Sequence, residues 1–272
     1  MTKLKNLLLR ALSGAVFVAV VVGSLLCCER AFAAVMLLCM VVSMHEFFGI
    51  SRALGVKPQY GLGMTIAVVM FAAGYIIAFE KVDFFNEQNL IFAPIPLCML
   101  VFFVELFRKN AQPFTNIAYT LLSLMYVAFP FALMSAVYSA NAEIMLCFFI
   151  LLWANDTFAY LFGITLGRHK LFPSISPKKS WEGYVGGIIS VVVCSCFLHR
   201  AFNDIAMVHM VAVGVIISVT AVLADLVESM LKRSAGVKDS GKIMPGHGGL
   251  LDRFDAALLS LPLVFVYVMV FM

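Results

Sequence analysis

Two stretches near the C-terminal end hold the residues best suited to chemistry. The first is ADLVESMLKRS, Ala224–Ser234, in which Glu228, Ser229 and Lys232 follow Asp225 at offsets of three, four and seven. On a helix these four form one polar stripe. The second is KDSGKIMPGHGGLLDRFD, Lys238–Asp255, which packs three Asp and four Gly into eighteen residues. Its middle, GKIMPGHGG, is too rich in Gly and Pro to be a lipid-exposed helix; it reads as a tight loop able to approach an anion closely. The loop leads into a helix beginning at Leu250 or Leu251, whose positive dipole end faces it. Asp252 and Asp255 sit three apart near that start. A carboxylate at a helix start is an ordinary cap, so Asp252 alone would mean little. Two such acids, an acid stripe on the preceding helix, and Lys238, Lys242 and His247 between them mean more. Hard oxygen donors suit Mg²⁺ or a similar ion, while ammonium groups and glycine backbone suit phosphate. A divalent ion with cationic groups around phosphate is the recurring apparatus of phosphoryl and nucleotidyl transfer.

Two further clusters stand upstream. In WANDTFAYLFGITLGRHK, Asp156, Ala159, Tyr160, Gly163 and Gly167 fall on one helical face. A lipid-facing carboxylate is costly, so this face is expected to pack inward, with the small residues admitting a neighbouring helix. In SISPKKSWEG, Pro177 breaks helix, Lys178 and Lys179 follow, and Ser180 caps a helix beginning near Trp181. Such a turn also suits a phosphate. Glu46, beside His45, and Glu105, with Lys109 a helical turn on, read as structural acids near the headgroups.

The elements that must position these residues are membrane helices. The 272 residues are 63% hydrophobic and 12% charged, with a mean hydropathy of +1.01, against about 25% charge in soluble chains. Apolar runs of bilayer-crossing length recur, and backbone groups in lipid must be satisfied internally, so the runs are predicted to be helices. Nine spans are predicted: 11–28, 31–50, 62–79, 90–107, 117–138, 144–167, 184–199, 207–230 and 250–272. The expected fold is therefore an all-α polytopic membrane protein. It reads as a single membrane domain over 1–272, with scaffold spans in 1–142 and the catalytic spans and loops in 143–272. Lys3, Lys5 and Arg10 precede the first span, and the even-numbered loops hold most other basic residues; the odd-numbered loops carry only Arg30, Lys81 and Arg200. That asymmetry places the N-terminus and the even loops in the cytoplasm and the C-terminus outside. A basic start before an apolar run also fits a signal peptide, but Glu29 and Arg30 crowd the cleavage position. The seven cysteines lie within the spans and form no Cys-x-x-Cys pair, so they read as small apolar residues.

Ser229–Asp255 resembles the phosphatidate cytidylyltransferase (CDP-diacylglycerol synthase) family. The family pattern runs Ser-x-x-Lys-Arg, four residues, Lys-Asp, five residues, then Pro-x-His-Gly-Gly-x-x-Asp-Arg-x-Asp, and every fixed position is matched. ISPKKSWEG and NDTFAYLFG resemble its flanking motifs, with Ser180 where Thr is more usual. The resemblance implies that CTP and phosphatidic acid give CDP-diacylglycerol and pyrophosphate with Mg²⁺, a step of phospholipid biosynthesis in the cell (inner) membrane. It implies Asp225, Asp252 and Asp255 as metal ligands, and Lys232, Arg233, Lys238, Asp239, His247 and Arg253 as catalytic groups around the triphosphate. Lys178, Lys179, Ser180, Lys242, Gly248, Gly249 and Asp156 are the implied substrate-binding set, with Asp156 and Glu228 shaping the site or holding a second cation. CTP, phosphatidic acid and membrane lipids are the expected partners; nucleic acid is not, and the first-half helices offer a surface for a homodimer. Two other readings compete. An ion-coupled transporter would need ionisable residues near mid-bilayer, whereas these acids crowd one side. A CDP-alcohol phosphotransferase would need four Asp on neighbouring helices, which this chain lacks.

Overall fold

The structure, a computed structural model, describes residues 3–80, 87–244, 246 and 248–272, without the side chains of residues 3–8, 87 and 88. Its helices are α1 (Lys3–Cys27), α2 (Glu29–Ala53), α3 (Tyr60–Phe79), the single turn α4 (Glu87–Leu90), α5 (Pro94–Arg108), α6 (Pro113–Ser123), α7 (Phe129–Ala140), α8 (Ala142–Thr165), α9 (Trp181–Ala201), α10 (Met207–Ser234) and α11 (Leu251–Phe271). A π turn over Leu124–Ala128 joins α6 and α7 into one continuous span. Pro130 explains that turn, because proline has no N–H to donate into the helical ladder. Each predicted span corresponds to a helix or to the α6–α7 run. Eight are long and apolar enough to cross a bilayer. The remaining one, α5, has 15 residues, about 22 Å at 1.5 Å per residue. Pro94 and Pro96 set its start four residues later than predicted, at the helix position where proline is tolerated. The protein is a multi-pass membrane protein.

One departure from the all-α expectation is a two-stranded antiparallel hairpin, β1 (Lys170–Phe172) and β2 (Ser176–Ser180), with Lys170 opposite Ser180. Leu171 is buried against Val222 and Leu226 of α10, with Ile175 and Tyr184 packed alongside. That apolar contact is what folds a short polar segment into strands. Pro177 is tolerated because two strands have open edges.

The chain forms two compact units, one of residues up to Ser139 with Ser234–Phe254, the other of Ala140–Arg233 with Asp255–Met272. In the first, α2 is deeply buried: Met36, Met40, Met44, Phe47 and Phe48 are at most 1% exposed. Phe254 packs against Phe17 and Phe131, with ring centroids 5.5 and 4.9 Å away. A polar knot ties α3, α5 and α6. Glu105, 3% exposed, accepts from Gln59, Arg108, Asn110 and Asn116 at 2.7–3.1 Å. The expected partner Lys109 takes no part in this set: α5 ends at Arg108, and Lys109 turns left-handed at φ 47°.

In the second unit, α8 and α9 meet through small residues. A Cβ at Gly183 would strike the backbone of Ala159 and Gly163, and one at Gly186 would strike Phe162. Of the face predicted to pack inward, Ala159 and Gly163 do so, while Asp156 and Tyr160 are exposed. The helix contact covers only one side of that wide arc, leaving the acid at its edge.

Candidate functional site

The polar stripe on α10 forms as predicted. Asp225, Glu228 and Lys232 lie along its last three turns, and Asp255 joins them from α11. One oxygen each from Asp225, Glu228 and Asp255 lie within 4.8 Å of one another. Glu228 is fully buried, and Asp225 and Asp255 are half-buried. Two ammonium groups balance part of this charge. Lys179, at the end of β2, pairs with Asp225 and donates to the Val222 carbonyl at 3.0 Å. Lys232 pairs with Glu228 at 2.5 Å. Ser229 Oγ donates to Asp225 at 3.4 Å, and Asp156 of α8 adds a further negative charge within electrostatic reach of Asp255. Among the described residues, carboxylates outnumber ammonium groups here, an arrangement suited to a cation. The donors are all hard oxygens, the kind magnesium and calcium take.

The hairpin beside this cluster is closed by a group the sequence reading passed over. The Glu182 carboxylate accepts from the Arg168 and His169 backbone N–H groups at 3.0 and 3.1 Å and contacts His169 Nδ1 at 2.6 Å. Trp181 N–H donates to His169 O at 2.9 Å. An acid in the first turn of a helix was the visible signal; its partners across a hairpin were not. Ser180, expected both to cap and to bind substrate, caps: it is 3% exposed, and its Oγ accepts from Gly183 N–H at 3.2 Å. Lys178 is exposed.

The glycine-rich loop belongs to the other unit and is built around two carboxylates. Asp252 accepts from the backbone N–H of Ser240 at 3.0 Å and of Gly249 at 2.8 Å. Glu46 accepts from Leu250 N–H at 3.0 Å, Leu251 N–H at 2.8 Å and Ser240 Oγ at 3.0 Å. The amides at the start of α11 are thus engaged by the protein's own acids. Gly248, at φ +84°, accepts a hydrogen bond from Met244 N–H at 3.0 Å, and a Cβ there would meet Asp252. Among the side chains expected to bind phosphate, Arg233, Lys238 and Lys242 are exposed, as is Asp239. Arg253 is half-buried in the first turn of α11. His247 and Pro245 lie outside the described residues. Glu46 was missed as a partner of this loop because its partners lie some 200 positions away in the chain.

The fold and site define a multi-pass membrane protein whose paired acids and lysines, at the end of one helix, mark a candidate functional site. More narrowly, residues 8–271 match the model of the cytidylyltransferase family, and the chain belongs to that family, in agreement with the motif at Ser229–Asp255. It is similar to the protein named phosphatidate cytidylyltransferase of Staphylococcus saprophyticus subsp. saprophyticus, at 40% identity over 171 residues. To the proteins of that name from Staphylococcus aureus (strain COL) and Staphylococcus epidermidis it is 41% identical over 171 residues and 39% over 175. Each comparison covers 62% of this chain and 66% of the relative, slightly under two thirds of its length.

Proposed function

We propose that this protein is a phosphatidate cytidylyltransferase, forming CDP-diacylglycerol and pyrophosphate from CTP and phosphatidic acid on the cytoplasmic side of the cell membrane. The observation that carries the reading is the trio of Asp225, Glu228 and Asp255, flanked by Lys179 and Lys232, in a chain of the cytidylyltransferase family. The basic even-numbered loops support the cytoplasmic placement. In the reaction a phosphate oxygen of the lipid forms a new bond to the α-phosphorus of CTP as the bond from that phosphorus to the bridging oxygen breaks, and pyrophosphate leaves with the electron pair. An ionised lipid phosphate is already a nucleophile, so no strong general base is required, and positioning with charge neutralisation supplies most of the rate.

The trio fits Mg²⁺ by its donor chemistry, and Asp225, Glu228 and Asp255 would hold it. Bound there, the ion would neutralise charge on the phosphates. Lys179 and Lys232 hold the acids in place through their ion pairs. Lys178 and Arg233 in one unit, and Lys238 and Lys242 in the other, are each exposed cationic groups available to an anionic substrate. The test is direct: the purified protein is given phosphatidic acid, Mg²⁺ and each labelled nucleoside triphosphate in turn. A labelled liponucleotide from CTP, with equimolar pyrophosphate, is expected. Absence of that product with every nucleotide would overturn the reading.

A further inference from the structure

Glu46 stands on α2, one of the scaffold helices, yet among the described residues its hydrogen-bond partners are Ser240, Leu250 and Leu251 of the motif. It is 4% exposed, and both of its oxygens are in use: Oε1 accepts from Leu250 N–H, and Oε2 from Leu251 N–H and Ser240 Oγ. The first amides of a helix lack intrahelical acceptors and are usually capped by a residue just upstream. Here Asp252 takes Ser240 and Gly249, and a residue from a distant helix completes the set. Two glycines make room for it. A Cβ at Gly241 or at Gly249 would run into the Glu46 carboxylate. These glycines therefore admit a protein acid, a different service from approaching a phosphate.

We infer that Glu46 is a positioning residue for the transfer reaction: its carboxylate latches Ser240, Leu250 and Leu251, the two ends of the loop, onto α2 and fixes the direction in which Lys238 enters the loop and Lys242 leaves its first end. The functional consequence rests on the cytidylyl-transfer reading; the latch itself rests on the hydrogen bonds and the glycine contacts. Glutamine at position 46 has the same shape but offers an NH₂ where a second acceptor is needed, so one N–H must face another donor. A cap serving stability alone would change how much protein folds and leave the turnover of the folded fraction untouched. A latch changes that turnover, because misplacing a binding group by about an ångström costs up to about 100-fold.

The experiment compares full-length wild type, Glu46→Gln and Gly241→Ala in nanodiscs, by hydrogen exchange of the loop peptide and by liponucleotide synthesis per folded molecule. Exchange across 238–251 is expected to rise at least about tenfold in both variants, with that of the rest of α2 unchanged. Their kcat/KM is expected to fall by about 10- to 100-fold. Glu46→Asp, which keeps the charge on a shorter arm, is expected to recover part of the loss, and Gly241→Ala to add nothing in a Glu46→Ala background. Wild-type exchange in the loop of Glu46→Gln, or kcat/KM within twofold of wild type, would overturn the inference. If Glu46→Gln fails to fold, Gly241→Ala, which leaves the acid in place, decides by the same two readouts. If wild type makes no liponucleotide, the transfer reading fails while loop exchange still decides the latch.

Discussion

Substituting Glu228 by Gln separates what the acidic cluster does for the fold from what it does in the reaction. The Glu228 side chain is fully buried, and the Lys232 side chain with which it pairs at 2.5 Å is 11% exposed. An exposed pair at this helical spacing contributes about 0.3–0.5 kcal/mol. A buried pair behaves differently. Removing one partner of a buried pair costs about 3–5 kcal/mol, an upper bound here because Asp225 and Asp255 share the cluster. In a chain of this size that corresponds to a fall in Tm of roughly 6–20 °C, readable by thermal unfolding in detergent. The companion change is Glu228→Gln together with Lys232→Met, which removes both charges. Replacing a buried pair by neutral groups is commonly neutral or stabilising, so the double variant is expected to recover most of the lost Tm. It is not expected to recover turnover, since the cluster has then lost both a carboxylate donor and an ammonium group. A double variant that regained stability and liponucleotide synthesis together would refute the reasoning, because the two charges would then serve only each other. A Glu228→Gln protein with unchanged Tm would refute the burial argument itself.

Other outcomes follow from the same geometry. Asp252→Asn is expected to abolish liponucleotide synthesis while leaving membrane insertion intact, because the loop loses a charged acceptor for two backbone amides; near-normal turnover would defeat any role for that acid. Ser180→Ala is expected to lower Tm by the equivalent of about 1 kcal/mol, the usual worth of a helix cap, with KM for both substrates unchanged. A raised KM would return the hydroxyl to the substrate. Gly248→Ala forces a side chain into φ +84° and against Asp252, and is expected to reduce activity at least about tenfold when assayed per folded molecule. Glu105→Ala leaves the donors of Gln59, Arg108, Asn110 and Asn116 without their shared acceptor; a lowered Tm with normal kinetic constants in the folded fraction is the expected result.

The helices were legible because a bilayer leaves the backbone few choices, and each apolar run could be bounded from its flanking charges and prolines. The stripe at Asp225, Glu228 and Lys232 was equally legible, since its geometry depends on one helix and a fixed period. What escaped depends on contacts between distant segments. The strands at 170–180 are too short for an alternating pattern to show, and their fold depends on Leu171 finding Val222 and Leu226. The inward face proposed for α8 was right about Ala159 and Gly163 and wrong about Asp156 and Tyr160, because periodicity gives a face and not the width of the contact. Glu46 illustrates the limit most sharply. A carboxylate inside an apolar run signals a required partner, but no spacing rule reaches across the roughly 200 positions to Leu250 and Leu251.

The seam between α8 and α9 has a mechanical corollary. Where backbone lies on backbone at Ala159, Gly163 and Gly183, there is no layer of side chains to shear, and the two helices must travel as one plank. The hairpin leaves one of them and enters the other, and Glu182 staples its base to Arg168 and His169. Its root is therefore clamped on both sides, and Leu171 and Lys179 pin its strands to α10 as well, which leaves the turn at 173–175 as the stretch with the fewest ties.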